Sequence, residues 1–339
     1  MAYKKIKIAN LLSEFTASEN ASDNVAQNAN SRAFKVLMNA LGVSMSEAQR
    51  LIDKGRLFCN GEVVSAKNEI LRGEIELISY ENAPRGQKPI FDNQNFAVFD
   101  KQSGILSHPN GRNCAYSLCD EIWHLYGAQA GVAHRLDRET SGLILVAKDK
   151  KTQTIFKTLF EKRLVKKEYL ALVSGQTPLE FSVDLPMNSA CDEVKTRMRL
   201  CPLSEGGKEA RTEFKRLCYF SEQDLLNLSC EIQLGKGFDF SKGASLLLAR
   251  PLTGRQHQIR LHLFASGFAI LGEPLYGLEK ADIERILDKQ MSAFERVSLT
   301  GATRLCLHSN RLAFEFGGKS YDILSQRDIR AEFLRALSL

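Results

Sequence analysis

Residues 134–148 read HRLDRETSGLILVAK, a dense cluster of polar side chains followed at once by an apolar run. The apolar run is typical of a buried strand, so the polar cluster is expected at the end of that strand. Within the cluster, Asp137 stands between Arg135 and Arg138. Neighbouring positive charge favours the ionised carboxylate, which can act as a nucleophile. The alternative is a charged surface loop in which Asp137 only forms an ion pair with an arginine.

The composition of the whole chain is that of an ordinary globular protein, with 339 residues, 44% hydrophobic and 25% charged. The formal net charge of +6 permits a polyanionic partner without requiring one. Eight cysteines are scattered without a CxxC pair, and neither an export signal nor a long apolar segment is recognised. We therefore expect reduced thiols, no metal site, no membrane contact and a cytoplasmic location.

Short apolar runs typical of strands recur from residue 96 onward, among them AVFDK, GLILVAK, EYLALVSG, ASLLLARPL and RLAFEF. Helical patterns intervene near 117–127, 151–163, 256–266 and 281–296. Because strands and helices do not alternate strictly, we predict an α+β domain over residues 96–339, with a mixed, mostly antiparallel sheet. The preceding polar segment, residues 81–95, contains two prolines and is predicted to be a linker.

The region before this linker is predicted to form a leader and a small module. Residues 1–30 are interpreted as a flexible leader, because their second half has almost no core-forming side chains. Residues 31–80 begin with a helical pattern that Gly42 can end, and Ser44 opens a second helix with a capping box. An Asn60-Gly61 pair between apolar runs predicts a hairpin, and an alternating strand follows it.

The polar cluster resembles the catalytic motif of the RluA-type pseudouridine synthases, essentially HRLD-x-x-TSG, and every fixed position of that pattern is present. Two further segments similar to the family follow in the expected order: KKEYLALVSG at 166–175 and RPLTGRQHQIRLH at 250–262. The segments LGEPLYG at 271–277 and LHSNRLAF at 307–314 are also similar, so the resemblance covers about residues 92–330.

The chain departs from the family pattern at three positions outside the central motifs. Gln102 stands where the family usually has proline, Glu273 where aspartate is common, and Ser309 where alanine is common. These departures concern specificity or loop geometry rather than the class of enzyme.

The resemblance implies an isomerisation without metal or cofactor, in which the glycosidic bond of uridine breaks and the base is rejoined through carbon. Asp137 is implied as the nucleophile or base, and attack on the sugar, attack on the base and removal of a sugar proton remain alternatives. Tyr169 is implied as the partner of the flipped base, with a buried strand residue as the alternative. Arg260 is implied as the ion-pair partner of Asp137, projecting beside the buried side of its helix and not required to lie in the core. The alternative is a surface helix arginine.

Other positions in the family motifs are implied to contact RNA. Arg135 is expected to enter the gap left by the flipped nucleotide. Four further residues are expected to shape the loop or bind phosphate, with structural roles equally open for the histidines: His134, Arg255, His257 and Gln258. Lys166 and Lys167 close a basic run at 148–168, with eight Lys/Arg against three Asp/Glu, which would neutralise phosphates beside the site. The alternative for this run is a solvated helix face.

The N-terminal module resembles the α-L RNA-binding domain, which is also found in a ribosomal protein and in some tRNA synthetases. This resemblance implies RNA contacts by Lys54 and Arg56 at the turn from helix to strand. The charge of residues 1–80 is nearly balanced, with ten basic and nine acidic side chains. A helical capping domain is therefore the alternative interpretation.

We thus predict an RNA pseudouridine synthase of the ribosomal large-subunit branch, acting as a monomer on large-subunit ribosomal RNA. The same chemistry on transfer RNA is one alternative. A non-catalytic RNA-binding or ribosome-assembly protein is another, but it predicts damaged motifs. A carboxylate-based glycoside hydrolase is disfavoured, because no paired acid carboxylate is identifiable.

Overall fold

The computed structural model describes residues 3–8, 32–80, 82–109, 114–190, 197–229 and 239–338. The chain divides into two compact units, Met1–Arg85 with Pro109–Tyr116, and Gly86–His108 with Ser117–Leu339. The second unit therefore begins inside the predicted linker. Phe91 explains this difference, because its ring stacks on that of Phe96 at 5.4 Å and draws the end of the linker into the sheet.

In its described residues, the N-terminal unit combines two helices with a four-stranded antiparallel sheet. Its elements are β1 (Tyr3–Lys7), α1 (Ala33–Leu41), α2 (Met45–Asp53), β2 (Leu57–Cys59), β3 (Glu62–Val63) and β4 (Ile75–Tyr80). The strand order is β1-β4-β2-β3. The apolar faces of both helices pack on the sheet, and Val36, Leu37, Ile52 and Leu57 are buried between them.

The predicted flexible leader, residues 1–30, is wrong for residues 3–8. Ile6 lies opposite Leu77 in the β1–β4 ladder, and the Lys5 ammonium lies 3.2 Å from the Glu76 carboxylate. The short lysine-rich segment thus completes the sheet through a pairing distant in sequence, which local composition does not reveal. Residues 9–30 of the predicted leader lie outside the described residues.

Local signals in this unit correspond to the structure. Gly42 ends α1 in the left-handed region with φ 63°, and Ser44 forms a full capping box with Glu47. Asn60 and Gly61 both have positive φ, at 50° and 84°, as a two-residue type I′ hairpin requires. The predicted hairpin is therefore confirmed as β2–β3.

In the part of the chain that the structure describes, the second unit is built on a ten-stranded mixed sheet. Its strands are β5 (Phe91–Asp92), β6 (Phe96–Lys101), β7 (Gly131–Val132), β8 (Ser141–Ala147), β9 (Lys166–Ser174), β10 (Glu180–Asp184), β13 (Arg211–Phe220), β14 (Ala244–Pro251), β15 (Leu307–Phe316) and β16 (Lys319–Leu324). The order is β10-β13-β14-β9-β15-β8-β6-β5, with β16 on β15 and β7 on β8. Only β15 and β8 pair in parallel among the described strands, which confirms the predicted α+β class. A separate hairpin joins β11 (Met187–Ser189) to β12 (Met198–Leu200).

The described helices of this unit pack around the sheet. They are α3 (Leu118–Tyr126), α4 (Lys150–Glu161), α5 (Glu222–Ser229), α6 (Gln258–Ala265), α7 (Lys280–Leu287), α8 (Ala293–Thr300) and α9 (Ile329–Ala336). The predicted helical stretch at 281–296 is two helices, because Lys289 turns left-handed with φ 59° and Ser292 caps α8. Among the described helices, none is long and apolar enough to cross a membrane.

The central strands β6 and β8 are buried on both faces. Phe96 of β6 packs with Phe156 and Phe314 on one side, whereas Phe99 packs with Ile122 on the other. Strands enclosed in this way are rigid. The segment at residues 134–140 leads directly into β8, so the sheet fixes the position at which this polar segment ends.

Candidate active site

Asp137 lies in the segment that enters β8, close to the point where three strands meet. Gly142 of β8 lies opposite Ser309 of β15, and Ser309 lies opposite Tyr169 of β9. Asp137 and Tyr169 line one cleft of about 1310 Å³. The register of the sheet therefore brings together two of the residues predicted to be catalytic.

Arg260 of α6 is the third, and it joins Asp137 to Glu273. Its Nη1 donates to Asp137 Oδ2 at 2.9 Å, while Nε and Nη2 donate to the two oxygens of Glu273 at 2.8 and 2.5 Å. Leu275 N–H also donates to Glu273, at 2.9 Å. Glu273 thus holds the guanidinium of Arg260 in an orientation in which Nη1 faces Asp137.

The expectation that Arg260 need not lie in the core is wrong, because its side chain is only 3% exposed. Residues 258–263 of α6 are all buried, so the helix has no solvated face at this point. Burial on its own lowers the pKa of Arg260, but the Glu273 and Asp137 carboxylates hold that pKa well above its ordinary value. The guanidinium is therefore a permanent cation inside the protein.

The surroundings of Asp137 keep it ionised. Burial on its own raises the pKa of this carboxyl, but the charges of His257, when protonated, Arg260 and Lys101 outweigh burial and lower the pKa below its ordinary value. The Asp137 side chain is 28% exposed, whereas that of Arg260 is almost fully enclosed. The buried Arg260 guanidinium therefore holds the Asp137 carboxylate in place, and the carboxylate remains accessible from the cleft.

Tyr169 presents a neutral phenol to the same cleft. The residue is 8% exposed. Burial raises its pKa to about 12, with the Ser309 hydroxyl opposing the rise and the Asp137 charge adding to it. The phenol therefore keeps its proton at neutral pH.

Two arginines anchor the segment after Asp137. Arg296 donates from Nη1 and Nη2 to the two carboxylate oxygens of Glu139, at 3.3 and 2.5 Å. Ser141 Oγ accepts from Arg304 Nη1 at 3.1 Å and lies 2.9 Å from His308 Nδ1. These partners lie 157 and 163 positions along the chain from the groups they hold, so no local pattern could reveal them.

Lys101 is a further residue that sequence reasoning did not assign. It is fully buried, and its ammonium donates to the carbonyls of Gln102, Ile105 and Arg138 at 3.1, 2.8 and 3.1 Å. Burial lowers the pKa of Lys101 to about 7, against the opposing charge of Asp137. The sequence feature that could have revealed Lys101 is its position as a lone lysine at the end of an apolar strand, because an unpaired charge is costly to bury there.

Gly142 of the motif is required by close backbone approach. A Cβ at this position would lie 2.3 Å from the Ser309 carbonyl oxygen and 2.5 Å from its nitrogen, and Gly142 has φ +109°. No side chain fits between the parallel strands β8 and β15 at this point. The glycine thus permits the pairing that places Ser309 opposite Tyr169.

We expect Gly142→Ala to lower the free energy of unfolding by about 3 kcal/mol or more, because a clash with backbone adds to the strain of positive φ. Gly206→Ala is the matched control, since Gly206 lies in the left-handed region with φ 86° and ψ 12°, and the nearest heavy atom to the added Cβ, Asn188 Nδ2, is at an ordinary contact distance of 3.9 Å. The control should lose only about 1 kcal/mol. Urea unfolding measures both values, and equal losses would show that the close approach to Ser309 has no energetic weight.

His257 lies beside Asp137, and Tyr276 contacts the other side of its ring. His257 Nε2 lies 3.7 Å from Asp137 Oδ2, and its Nδ1 lies 3.2 Å from the Tyr276 hydroxyl. Burial, followed by the charge of Arg260, lowers the pKa of His257 to about 4, so the ring is neutral at pH 7. The His257 ring is buried between Asp137 and Tyr276, as expected of a histidine that shapes the loop, and its contact with RNA stays a prediction.

Two other residues expected to shape the loop or bind phosphate, Gln258 and His134, are held by internal hydrogen bonds. Gln258 uses its whole amide internally: Oε1 accepts from Thr253 Oγ1 and Arg255 N–H at 2.6 and 3.0 Å, and Nε2 donates to Arg211 O and Thr212 Oγ1 at 2.9 and 3.0 Å. His134 Nε2 accepts from Leu145 N–H at 3.0 Å, and burial lowers its pKa to about 3. Both side chains shape the loops, and His134 has no charge to offer a phosphate.

The remaining predicted contacts lie along the cleft. Eight Lys or Arg and three Asp or Glu side chains line it, a net charge of +5. Arg135, Lys166 and Arg255 are exposed there, whereas Lys167 is partly buried, which lowers its pKa. Arg255 also donates from Nε to the Glu209 carbonyl at 3.1 Å, and this hydrogen bond restricts the position of its guanidinium group. A cleft with this charge suits a polyanion.

Lys54 and Arg56 belong to the N-terminal unit. Lys54 is exposed and stands at the end of α2, and Arg56 is partly buried just before β2. They therefore occupy the turn from helix to strand that the sequence predicted.

The sequence of this chain is similar to a known protein family and to several named proteins. A profile of the family described as RNA pseudouridylate synthase matches residues 95–265. An uncharacterized RNA pseudouridine synthase of Helicobacter pylori is 34% identical over 311 residues, which is 91% of this chain and 94% of that protein.

Two relatives with named substrates are also similar. Ribosomal large subunit pseudouridine synthase D of Nitrosomonas europaea is 32% identical, over 58% of this chain and 51% of that protein. The mitochondrial tRNA pseudouridine(32) synthase of Saccharomyces cerevisiae is 31% identical, over 67% of this chain and 46% of that protein.

Among solved structures, human RNA pseudouridylate synthase domain containing 1 superposes with a TM-score of 0.52 at 20% identity, covering 71% of this chain and 83% of that one. At this identity the likeness concerns the fold alone.

Proposed function

This chain belongs to the RluA-type RNA pseudouridine synthases, and from that premise we propose that it isomerises specific uridines in large-subunit ribosomal RNA, with Asp137 as the nucleophile. The observation that carries the proposal is the ionised Asp137, held by buried Arg260 and exposed to a cleft with a net positive lining. A carboxylate kept charged at the floor of a cationic cleft is suited to attack on a bound polyanion.

The reaction breaks the bond from N1 of uracil to C1′ of ribose and forms a bond from C5 to C1′. The proton at C5 is lost and N1 gains a proton, so nothing is consumed. Within the described residues, the hydrogen bond to Asp137 goes to Oδ2, which leaves Oδ1 for the reacting atom. Arg260 holds the carboxylate in one orientation, and a positioned nucleophile gains rate from that restriction.

The target uridine has to leave its stack before it can reach Asp137, which costs a few kcal/mol. We propose that the Tyr169 ring receives the flipped base, since stacking on an aromatic ring contributes about 1–3 kcal/mol per base. Arg135, exposed beside the cleft, is proposed to occupy the gap left in the RNA. Lys166, Lys167 and Arg255 are proposed to bind phosphates along the same cleft.

Support for the ribosomal target comes from the layout of the chain. The ribosomal relative from Nitrosomonas is similar to it, and the small N-terminal unit has the two helices and the hairpin expected of an α-L domain. We propose that this unit binds RNA through Lys54 and Arg56, and that the protein acts as a cytoplasmic monomer. The yeast relative makes transfer RNA the alternative substrate.

The decisive experiment compares chemical maps of pseudouridine across total RNA from cells with and without the protein. We expect one or a few sites in large-subunit ribosomal RNA to disappear on deletion and to return with the wild-type gene. Loss of sites only in transfer RNA would replace the ribosomal target by the alternative. Unchanged maps in both RNAs would refute the proposed activity.

The non-catalytic alternative is tested in the same cells with a chain in which Asp137 is replaced by asparagine. If this chain restores ribosome assembly without restoring the modification, the protein has a second role in assembly. Failure to restore either property is expected if modification is its function.

A further inference from the structure

His257 occupies an unusual position beside Asp137. It adopts the left-handed conformation, with φ 55°, directly before α6, and it is only 9% exposed. A bulky residue in this region is uncommon, and such conformations concentrate at functional sites. In this conformation the ring lies between the Tyr276 hydroxyl, on the Nδ1 side, and Asp137 Oδ2, on the Nε2 side.

The contacts of Tyr276 favour one tautomer of the His257 ring. Met198 N–H donates to the Tyr276 hydroxyl oxygen at 3.3 Å, so the hydroxyl hydrogen is available for His257 Nδ1 at 3.2 Å. A neutral imidazole whose Nδ1 accepts a hydrogen bond has its proton on Nε2. The opposite tautomer would direct the Nε2 lone pair at the Asp137 carboxylate, which is electrostatically unfavourable.

We propose that His257 is a positioning residue for Asp137: Tyr276 holds its imidazole as the Nε2–H tautomer, and this N–H closes on Oδ2 when RNA fills the cleft. At 3.7 Å the pair is too long for a hydrogen bond in the free protein. Catalytic hydrogen bonds are often long in the free enzyme and tighten in the complex. The effect of His257 on catalysis rests on the proposed function, whereas the tautomer of its ring does not depend on that function.

A neutral donor suits this position better than a second cation. Arg260 already supplies a full charge to Oδ2, and a second charge would make the carboxylate a weaker nucleophile. The N–H of a neutral ring restricts the rotation of the carboxylate without that penalty. With Oδ2 held from two directions, Oδ1 is the oxygen left to meet the nucleotide.

The tautomer can be read directly by nitrogen-15 NMR of histidine side chains. The chain has six histidines, and a His257→Asn variant identifies the resonances of His257. We expect a protonated Nε2 and an unprotonated Nδ1 at pH 7 in the full-length protein, and a mixture of tautomers in Tyr276→Phe. A charged ring or an Nδ1–H tautomer in the wild type would overturn the inference, whether or not the protein modifies RNA.

The kinetic test uses the same Tyr276→Phe variant with unmodified ribosomal RNA. We expect kcat to fall about tenfold, the scale of one hydrogen bond to a charged group, while KM changes less than about twofold. His257→Asn alone should lower kcat similarly, and adding Tyr276→Phe to it should cause no further loss. Additive losses, or a change in KM alone, would contradict the coupling.

Tyr219→Phe is the matched control. The Tyr219 hydroxyl donates to the Lys242 carbonyl at 3.2 Å and does not line the cleft, so this variant should leave both the His257 tautomer and kcat unchanged. Thermal midpoints of all variants show that they are folded. An inactive wild type with the expected tautomer would refute the proposed function and leave the inference about the ring intact.

Discussion

Asp137→Asn is expected to abolish uridine isomerisation while the protein stays folded. Asparagine has nearly the same shape and can still accept the hydrogen bond from Arg260, so the clamp between α6 and the motif persists. A neutral amide has no nucleophilic oxygen, and loss of a catalytic nucleophile lowers kcat by at least about a thousandfold. Arg260 also keeps its pair of hydrogen bonds to Glu273, so its charge remains compensated.

The measurement is conversion of uridine to pseudouridine in unmodified ribosomal RNA by purified protein, with excess enzyme so that slow turnover is visible. Asp288→Asn is the matched control, because Asp288 is exposed at the end of α7 and should keep full activity. The thermal midpoint of Asp137→Asn should match that of the wild type. Turnover by folded Asp137→Asn at the wild-type rate would eliminate Asp137 as the nucleophile.

The residues proposed to act in catalysis could be selected from the sequence, because each stands in a short segment with its own pattern. Asp137, Tyr169 and Arg260 were all located in this way. The contacts that hold these residues could not be predicted, because the partners are distant in sequence. Arg260 lies 123 positions from Asp137, and Arg296 lies 157 positions from Glu139. A sequence lists such partners without indicating which ones meet.

The fold shows the same division between local and distant signals. The capping box at Ser44 and the turn at Asn60 depend on neighbouring residues only, and both were correctly predicted. The pairing of residues 3–7 with β4 depends on a contact across more than half of the N-terminal unit, and composition alone suggested a flexible leader. Lys289 broke a predicted helix because a non-glycine residue took a left-handed conformation there.

Burial of polar groups was the least predictable property. An arginine among leucines in α6 looked like a surface residue, yet Glu273 and Asp137 compensate its charge and allow it to be enclosed. Glu273 was noted only as a departure from the family pattern. Its two oxygens occupy two donors of Arg260, so this position sets the orientation in which Arg260 meets the Asp137 carboxylate.

Arg260→Met is therefore expected to lower both stability and activity, and the two losses can be separated. The substitution leaves Glu273, only 4% exposed, as a buried charge without its cation. Removing one partner of a buried ion pair costs about 3–5 kcal/mol, whereas replacing both partners is often nearly neutral. The double variant Arg260→Met with Glu273→Gln should thus recover most of the unfolding free energy in urea titrations.

Activity should not recover with stability. In the double variant Asp137 has lost the cation that orients it, so kcat/KM should stay at least about a hundredfold below the wild type, the scale of a lost charge-assisted contact in a transition state. Glu273→Gln alone keeps the Arg260 cation but loses the charge that orients it, so its kcat/KM should lie between those of the wild type and the double variant. A stable double variant with wild-type kcat/KM would show that Arg260 has only a structural role.

The pH dependence of the double variant gives an independent check. In the wild type the pKa of Asp137 is lowered, so the reactive carboxylate persists as the pH falls, and the acid limb of activity lies at low pH. Without Arg260, the effect of burial is less opposed and the pKa rises, so the acid limb should move to higher pH. Because the pKa of Asp137 is lower in the folded protein than in the unfolded chain, the ionised carboxylate stabilises the fold at pH values above the unfolded pKa. This stabilisation is lost as the pH falls through the folded pKa. In the double variant this contribution should shrink. An acid limb at the wild-type position would mean that Arg260 does not set the charge of Asp137.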